Sequence, residues 1–341
     1  MVESLTINIG LFAVAAFVIG IVGTRLTKVA DRLADKTGWG EAVFGAIFLG
    51  GSTSLPGIVA SVTAAWGGHP ELAVSNAVGG IAAQTVFLSI ADLFYRQANL
   101  EHAAASPANL MQGSLLITLL SLPFLAMSST PIDIWGIHPA SFLLIAAYIF
   151  GMRLVSQAKT APMWAAKRTA ESRFDEPEEE GANSDSGNGF LWMRFCLFAV
   201  LLATAGYVVA ESGVAIASRS GLSQTIVGSL FTAISTSLPE LITSVAAVRS
   251  GALTLAVSDI IGGNTFDVLF LAFSDFAYRD GSIYHTISQR QIFIISLTIL
   301  LTGILLLGLL RREKRGIGNI GFESFLILIF YLGGFWLLFS S

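Results

Sequence analysis

The 341-residue chain has few of the residues on which soluble and disulfide-linked proteins depend. Only 12% of it is charged and 54% is apolar, whereas about a quarter of an ordinary soluble domain is charged. It has one cysteine, Cys196, and four histidines. An internal disulfide is therefore excluded, and the lone thiol is expected to pack inside an apolar span. The composition indicates an integral membrane protein, and nothing in it points to nucleic acid.

Ten apolar runs are long enough to cross a bilayer, which takes about 20 helical residues. They lie near 5–23, 41–66, 70–95, 110–129, 137–157, 190–210, 222–249, 252–278, 291–310 and 321–340. Adding 183 to the first five closely reproduces the second five, and 15 of the 34 residues in 51–84 are identical to their partners in 234–267 without a gap. The sequence thus predicts an all-α integral membrane fold of ten transmembrane helices, arranged as two inverted five-helix repeats.

The duplication divides the chain into two repeats and a connection. Residues 1–157 are predicted to form the first repeat, with its central motif at 50–84, and residues 190–341 the second, with its motif at 233–267. Residues 158–189 change from basic to acidic and then to glycine, serine and asparagine. That composition is typical of a flexible linker.

Basic residues predict the orientation of the chain in the membrane. Of its 19 lysines and arginines, 15 lie in loops that follow odd-numbered spans. Cytoplasmic loops are enriched in these residues, so we expect the linker in the cytoplasm and both termini outside it. A plasma membrane of the prokaryotic type is the simplest location for loops this compact.

Each repeat carries a polar motif broken by proline. Ser52–Gly57 reads STSLPG, and Ser235–Glu240 reads STSLPE. A proline inside a span leaves a backbone carbonyl without its usual donor, which a bilayer tolerates mainly where that group lines a cavity or meets an ion. Glu240 and Asp267 also lie deep within spans, where an ionisable side chain indicates function.

Oxygen atoms dominate the surroundings of these two acids. Thr236, Ser237 and Glu240 stand at i, i+1 and i+4, which places them toward one face of a helix. Gln84 and Asn264 are either part of the same site or hydrogen-bonding groups between helices. No cysteine or histidine is near, so sodium, calcium, magnesium or protons fit the inventory better than zinc or copper.

Two further acids stand four residues before an arginine near the end of a span. These pairs are Asp92 with Arg96 and Asp275 with Arg279. The i, i+4 spacing predicts surface ion pairs at the membrane interface.

The motifs resemble the alpha-repeats of the calcium/cation antiporter superfamily, whose best-known members are the sodium/calcium exchangers. The second repeat carries the resemblance, with STSLPE at 235–240 and GGNTFD at 262–267. With Asn264 added from the polar inventory, the predicted cation ligands are Glu240, Asp267, Thr236, Ser237, Thr53, Ser54, Gln84 and Asn264.

The first repeat departs from that family pattern. Gly57 stands where the family has a glutamate, Gly80 and Gly263 where it has serines, and Ile81 where it has an asparagine. The site then carries at most two negative charges. The resemblance implies a secondary active antiporter that exchanges calcium for sodium or protons by alternating access, without a cofactor. The count of two acids adds the prediction that this exchange is near-electroneutral. Its expected partners are membrane lipid and small inorganic cations, and no feature specifies an oligomeric state.

Three other functions fit parts of the sequence. Without the glutamate at position 57, the antiporter could exchange a different or monovalent cation, because calcium takes six to eight oxygen ligands. A transport-dead membrane sensor is the second. Two membrane-embedded acids could also form the catalytic pair of an intramembrane protease, but the duplicated STSLP elements and the lack of a Gly-x-Gly-Asp element argue against an enzyme.

Overall fold

The computed structural model describes residues 4–37, 43–95, 98–132, 134–160, 162–167, 169, 188–316 and 320–340. Within these ranges the chain is helical, and the single β pairing is a bridge between Ile134 and Ile137. The helices are α1 (Leu5–Thr37), α2 (Val43–Thr53), α3 (Leu55–Trp66), α4 (Pro70–Asp92), α5 (Leu100–Ala103), α6 (Pro107–Ser128), α7 (Pro139–Thr160), α8 (Asn188–Ser220), α9 (Gln224–Ile226), a π-helical turn (Val227–Thr232), α10 (Ala233–Thr236), α11 (Leu238–Ser250), α12 (Leu253–Asp267), α13 (Leu269–Ala277), α14 (Ile283–Thr286), α15 (Gln289–Arg311) and α16 (Phe322–Ser340).

Among the described residues, ten segments are long and apolar enough to cross a bilayer. Seven of them are the single helices α1, α4, α6, α7, α8, α15 and α16, and an eighth is the nearly continuous pair α12–α13. The other two are bent: α2 meets α3 at 70°, and Gln224–Thr236 meets α11 at 49°. The prediction of an all-α membrane fold with ten spans is confirmed.

Both bends fall at the proline motif. Pro56 lies in the first turn of α3 and Pro239 in the first turn of α11, where a missing backbone N–H is tolerated. Neither proline can donate to the carbonyl four residues earlier, so the preceding helix cannot run on through it. Ser54 and Ser237 are the single residues between the two halves of each bent span.

Helix α4 is the centre of the bundle. All of its 23 residues except Glu71 and Ile90 are buried, and it contacts α3, α11, α12, α15 and α16. Helices α1 and α8 lie outside, pack along each other and expose large apolar side chains such as Phe17 and Leu197. In a membrane such side chains face lipid, so the most polar helices of the chain are the most protected.

The outer helices also touch the proline breaks, through two glycines that the 183-residue offset relates. A Cβ on Gly23 would stand 2.3 Å from Cγ of Pro239, and a Cβ on Gly206 would stand 2.5 Å from the carbonyl oxygen of Pro56. Neither approach leaves room for a side chain. The outer helix of each repeat is therefore fitted against the broken span of the other repeat.

A buried aspartate closes the end of α4. Asp92 Oδ1 accepts a hydrogen bond from the Leu100 N–H at 2.6 Å, and Oδ2 accepts one from the Gly321 N–H at 2.8 Å. Leu100 begins α5, and Gly321 precedes α16. This group, the Asp92 junction, ties the end of a first-repeat span to the start of a second-repeat span.

A second junction closes α13 at the opposite end of the bundle. Asp275 Oδ1 accepts from the Ile283 N–H at 2.9 Å, while Oδ2 accepts from the His138 N–H at 2.8 Å and the Ser141 hydroxyl at 2.7 Å. We call this group the Asp275 junction.

The prediction that these aspartates form surface ion pairs was wrong. The Asp92 and Asp275 side chains are both fully buried, and Arg279 lies over the Trp66 ring, 5.1 Å from its centroid. Arg96 lies outside the described residues. The i, i+4 spacing describes one isolated helix, whereas here the next helix of the other repeat covers its end.

Two smaller predictions concern Cys196 and the linker. Cys196 is exposed on α8 rather than packed inside the protein. Most of the predicted linker at 158–189 lies outside the described residues, so its boundaries stay a prediction.

Candidate cation site

A small cavity lies at mid-bundle, where the bends of both repeats meet α4 and α12–α13. Its volume is about 10 Å³, which suits one water molecule. Its lining consists of Ser54, Gly57, Asn76, Gly80, Gln84, Thr236, Ser237, Glu240, Asp267 and Phe270.

Asp267, the last residue of α12, is held by two donors from the first repeat. Its Oδ1 accepts the Ser54 hydroxyl at 2.6 Å, and its Oδ2 accepts the Gln84 amide at 2.7 Å. The Gln84 amide also donates to the Ser237 hydroxyl at 3.2 Å. Since Asp267 and Gln84 are separated by 183 residues, equivalent positions of the two repeats touch each other across the cavity.

Glu240 lies in the first turn of α11, one residue after Pro239. Its Oε2 is buried and has no hydrogen-bond partner among the described residues, and the same is true of Gln84 Oε1. Both residues line the cavity. Two buried acceptor oxygens without a donor are costly, and a bound cation or a proton would satisfy them.

Thr236 and Asn76 complete the polar wall. The Thr236 hydroxyl donates to the carbonyls of Thr232 and Ala233 and lies 3.5 Å from Asn76 Oδ1. The Asn76 amide donates to the Ser61 hydroxyl at 2.9 Å and to the Gly57 carbonyl at 3.3 Å. Asn76 therefore fixes the backbone beside the proline bend while its Oδ1 stands on the cavity side of the network.

Six of the eight predicted ligands line the cavity, and two do not. The Thr53 hydroxyl donates to the Leu49 and Gly50 carbonyls of its own helix. The Asn264 amide donates to the Thr85 hydroxyl at 3.2 Å, and its Oδ1 is buried and finds no partner in the described ranges. In this arrangement both residues lie behind the lining, and their roles as ligands stay predictions.

The predicted ligands include neither Phe270 nor Asn76. A signal existed for Phe270, because it stands three residues after Asp267 and so projects from the same side of the span. For Asn76 the signal was its place on α4, eight residues before Gln84, which is close to two helical turns and returns to the same face.

The chemistry of the lining suits a hard cation. It offers carboxylate, hydroxyl and amide oxygens, two acids and no lysine, arginine or histidine. Within the described part of the chain, no group of three or more histidine, cysteine, aspartate or glutamate side chains could hold a metal ion. Oxygen donors select sodium, calcium, magnesium or protons over softer metals.

Comparison with known proteins identifies a matching family over most of the chain. The family model described as sodium/calcium exchanger protein matches residues 7–156 and 190–340. A protein of Alkalimonas amylolytica that carries the antiporter name CaxA is 30% identical over 322 residues, which cover 93% of this chain and 94% of that protein.

Solved structures share the fold at low sequence identity. The crystal structure of the H+/Ca2+ exchanger CAX matches with a TM-score of 0.67 and 14% identity, covering 95% of this chain and 81% of that one. A structure of the sodium-calcium exchanger NCX_Mj matches with a TM-score of 0.59 and 16% identity, covering 97% and 99%. At such identities the likeness establishes architecture, and the ions moved must be argued from the site itself.

Proposed function

The chain belongs to the sodium/calcium exchanger protein family, and from that premise we propose that it exchanges calcium for sodium or protons at the cavity between its repeats. It is a membrane cation antiporter and not an enzyme, and the ions are its substrates rather than cofactors. Orientation with both termini outside the cytoplasm of a prokaryotic-type plasma membrane is part of the proposal, supported by the distribution of basic residues.

One observation carries the assignment of the site. Within the part of the chain that the structure describes, the buried Glu240 Oε2 and Gln84 Oε1 have no hydrogen-bond donor, and both side chains line a cavity of about one water molecule's size. An acceptor pair of this kind, at membrane depth and beside a second carboxylate on Asp267, is a place for a positive charge. Calcium, sodium and a proton each supply one.

The charge of the lining supports near-electroneutral exchange. Glu240 and Asp267 together contribute at most two negative charges, and no basic side chain lines the cavity. One calcium ion, two sodium ions or two protons would each neutralise the site. Exchange of one set for another then moves little net charge across the membrane.

Coupling follows from the cost of moving an empty site. With both acids ionised and no cation bound, closing the cavity inside the bundle leaves charge in a low dielectric, so the alternation between the two sides is favoured only with a cation bound. The outer helices α1 and α8 contact the proline breaks through Gly23 and Gly206. We propose that these helices rock across the broken spans as access alternates.

Flux in proteoliposomes tests the proposal. We expect uptake of radiolabelled calcium driven by an outward sodium or proton gradient, lost in Glu240→Gln and kept in Glu71→Gln, an acid at the start of α4 that does not line the cavity. Full calcium uptake by Glu240→Gln would contradict the assignment. Repeating the assay under a clamped potential tests electroneutrality, and a steep dependence of flux on voltage would overturn that part.

A second candidate is exchange of monovalent cations only. It is favoured by the small cavity and by the presence of only two acids, because calcium takes six to eight oxygen ligands. The same vesicles distinguish the two functions. Sodium or proton movement that depends on Glu240, without calcium flux, would establish the monovalent antiporter.

A further inference from the structure

The first-repeat wall of the cavity is closed by an aromatic ring. A Cβ on Gly57 would stand 2.7 Å from Cε2 of Phe270 and 3.3 Å from its Cζ. Real Cβ atoms do not approach a ring carbon as closely as the first distance. Any side chain at position 57 must therefore displace the Phe270 ring, which itself lines the cavity.

Neighbouring rings hold Phe270 in this position. The Phe270 side chain is buried and stands edge-on to Phe266, with ring centroids 6.4 Å apart, while Phe266 stands edge-on to Tyr148 at 5.9 Å. Phe266 in turn packs against Gly50, where a Cβ would come within 3.0 Å of the ring. The rings of Tyr148, Phe266 and Phe270 thus form a row that covers the glycines of the first broken span. Because neighbouring rings are in contact, displacing one ring also displaces the next.

The place that the ring fills is the one that the repeat symmetry gives to a carboxylate. Because 57 plus 183 is 240, the two positions are equivalent. The second repeat has Glu240 where the first has Gly57 covered by the Phe270 ring. The other two glycines at the site differ. A Cβ on Gly80 would meet the Ser237 hydroxyl oxygen at 3.5 Å, and one on Gly263 would meet Gln84 Oε1 at 3.5 Å, which are ordinary contacts. Of these three glycines, only Gly57 lacks room for a Cβ atom.

We propose that Phe270 is a specificity-determining residue of the cation site. Its ring excludes a carboxylate from position 57 and thereby limits the site to two acids. The inference rests on the proposed function of the cavity as a cation site. It adds that the missing acid cannot be restored at position 57 unless the ring is shortened as well.

A double-mutant cycle tests this inference on purified protein and in proteoliposomes. The variants are Gly57→Glu, Phe270→Ala and the two combined, with equilibrium binding of radiolabelled calcium and the melting temperature measured for each. We expect Gly57→Glu alone to melt lower than wild type and to gain no calcium affinity. The double variant is expected to melt higher than Gly57→Glu in calcium and to bind calcium about tenfold more tightly than wild type or better, as an added carboxylate ligand predicts.

Two outcomes overturn the inference. One is a gain in calcium affinity by Gly57→Glu alone that equals that of the double variant, since the ring would then not obstruct the acid. The other is a folded double variant with no gain. If the double variant does not fold, Gly57→Ala with and without Phe270→Leu measures the contact without a new charge, and additive melting temperatures would refute the steric coupling.

The cycle separates this inference from the function on which it rests. Calcium flux that persists in Glu240→Gln refutes the proposed site but leaves the melting temperatures of the Gly57 and Phe270 variants unaffected. Conversely, additive effects of the Gly57 and Phe270 changes refute the role of the ring while the Glu240-dependent flux stands.

Discussion

The Asp92 junction and the Asp275 junction are built from equivalent contacts at opposite ends of the bundle. Asp92 accepts hydrogen bonds from the N–H groups of Leu100 and Gly321, and Asp275 accepts them from those of Ile283 and His138. These positions are equivalent, because 100 plus 183 is 283 and 321 minus 183 is 138. The donors in these four equivalent contacts are all backbone amides. A backbone amide is available whatever the side chain, so glycine and histidine serve equally well as the donor.

At mid-bundle the repeats keep the same contacts but exchange the chemical groups. The Ser54 hydroxyl meets Asp267, and the equivalent Ser237 hydroxyl meets Gln84. One repeat thus presents an amide where the other presents a carboxylate, and Gly57 faces a ring where Glu240 presents its carboxylate to the cavity. The comparison indicates that the duplicated contacts hold the fold, while the exchanged groups set the charge of the cation site.

The largest effect should come from making the two repeats alike at the cavity. Asp267→Gln gives the second repeat the side chain that the first has at position 84. It removes one of the two negative charges, and we expect exchange to fall by about a hundredfold or more without loss of the folded protein. Flux and melting temperature measure the two effects, with Asp280→Asn, an exposed acid after α13, as the control. Exchange within about twofold of wild type would show that Asp267 carries no ion.

Breaking the end junctions should affect stability more than transport. In Asp92→Asn and Asp275→Asn, one acceptor oxygen is replaced by an NH2 group, so a hydrogen-bond donor faces backbone N–H donors. We expect each change to lower the free energy of unfolding by about 1–3 kcal/mol. Asp275 accepts three hydrogen bonds and Asp92 two, so Asp275→Asn should be the more damaging. Thermal unfolding in detergent checks the order, and equal melting temperatures for the two variants and wild type would refute the role of the junctions.

The sequence was sufficient for the repeat, the ten spans and the two breaks, because each depends on local properties. Span length follows from bilayer thickness, and the bends follow from a missing N–H at Pro56 and Pro239. Glu240 and Asp267 stood out because acids are rare at membrane depth. The family resemblance, rather than the offset, placed Ser54 and Gln84 among the predicted ligands.

What the sequence could not supply is the packing between repeats. The buried state of Asp92 depends on Gly321, a residue 229 positions away. The ring at Gly57 depends on how α13 packs against α3, which no periodicity encodes. For the same reason the motif alone could not separate Ser54, whose hydroxyl reaches Asp267, from Thr53, whose hydroxyl turns back to its own helix.

The two junctions differ at one neighbouring position, and this difference predicts a response to pH. Near the Asp92 junction, Glu101 Oε1 accepts the Ser324 hydroxyl, while Oε2 is buried with no partner among the residues that the structure describes. At the equivalent place near the Asp275 junction, the Tyr284 and Ser141 hydroxyls pair at 3.0 Å. An ionisable carboxyl in one junction thus corresponds to a phenol in the other.

Glu101 should make the folded protein less stable as pH rises. Burial, together with the nearby negative charge of Glu323, raises the pKa of the Glu101 carboxyl above its ordinary value of 4.5. Above that value the folded state holds a proton that the unfolded state has lost, so stability falls with rising pH until the folded group also ionises.

Glu101→Gln removes this titration, and we expect it to raise the free energy of unfolding by up to about 1 kcal/mol at neutral pH. Melting temperatures from about pH 5 to about pH 9 should fall less steeply in the variant than in wild type. Tyr284→Phe is the matched control at the other junction, and its slope should equal that of wild type. Parallel curves for Glu101→Gln and wild type would mean that another group titrates. Asp92 and Glu323 are the acids that interact with Glu101, and Glu323 lies 3.6 Å from Arg311.

The smallest effect should come from returning hydroxyls to the two glycines that have room for them. Gly80→Ser and Gly263→Ser place a Cβ at ordinary contact distance from Ser237 and Gln84, so neither needs the bundle to move. Each adds a neutral oxygen beside the cavity and leaves its charge unchanged. We therefore expect calcium affinity to change by less than about threefold, measured by equilibrium binding. A larger gain from either serine than from the Gly57→Glu and Phe270→Ala pair would mean that the number of oxygens, rather than the missing carboxylate, limits what this site can hold.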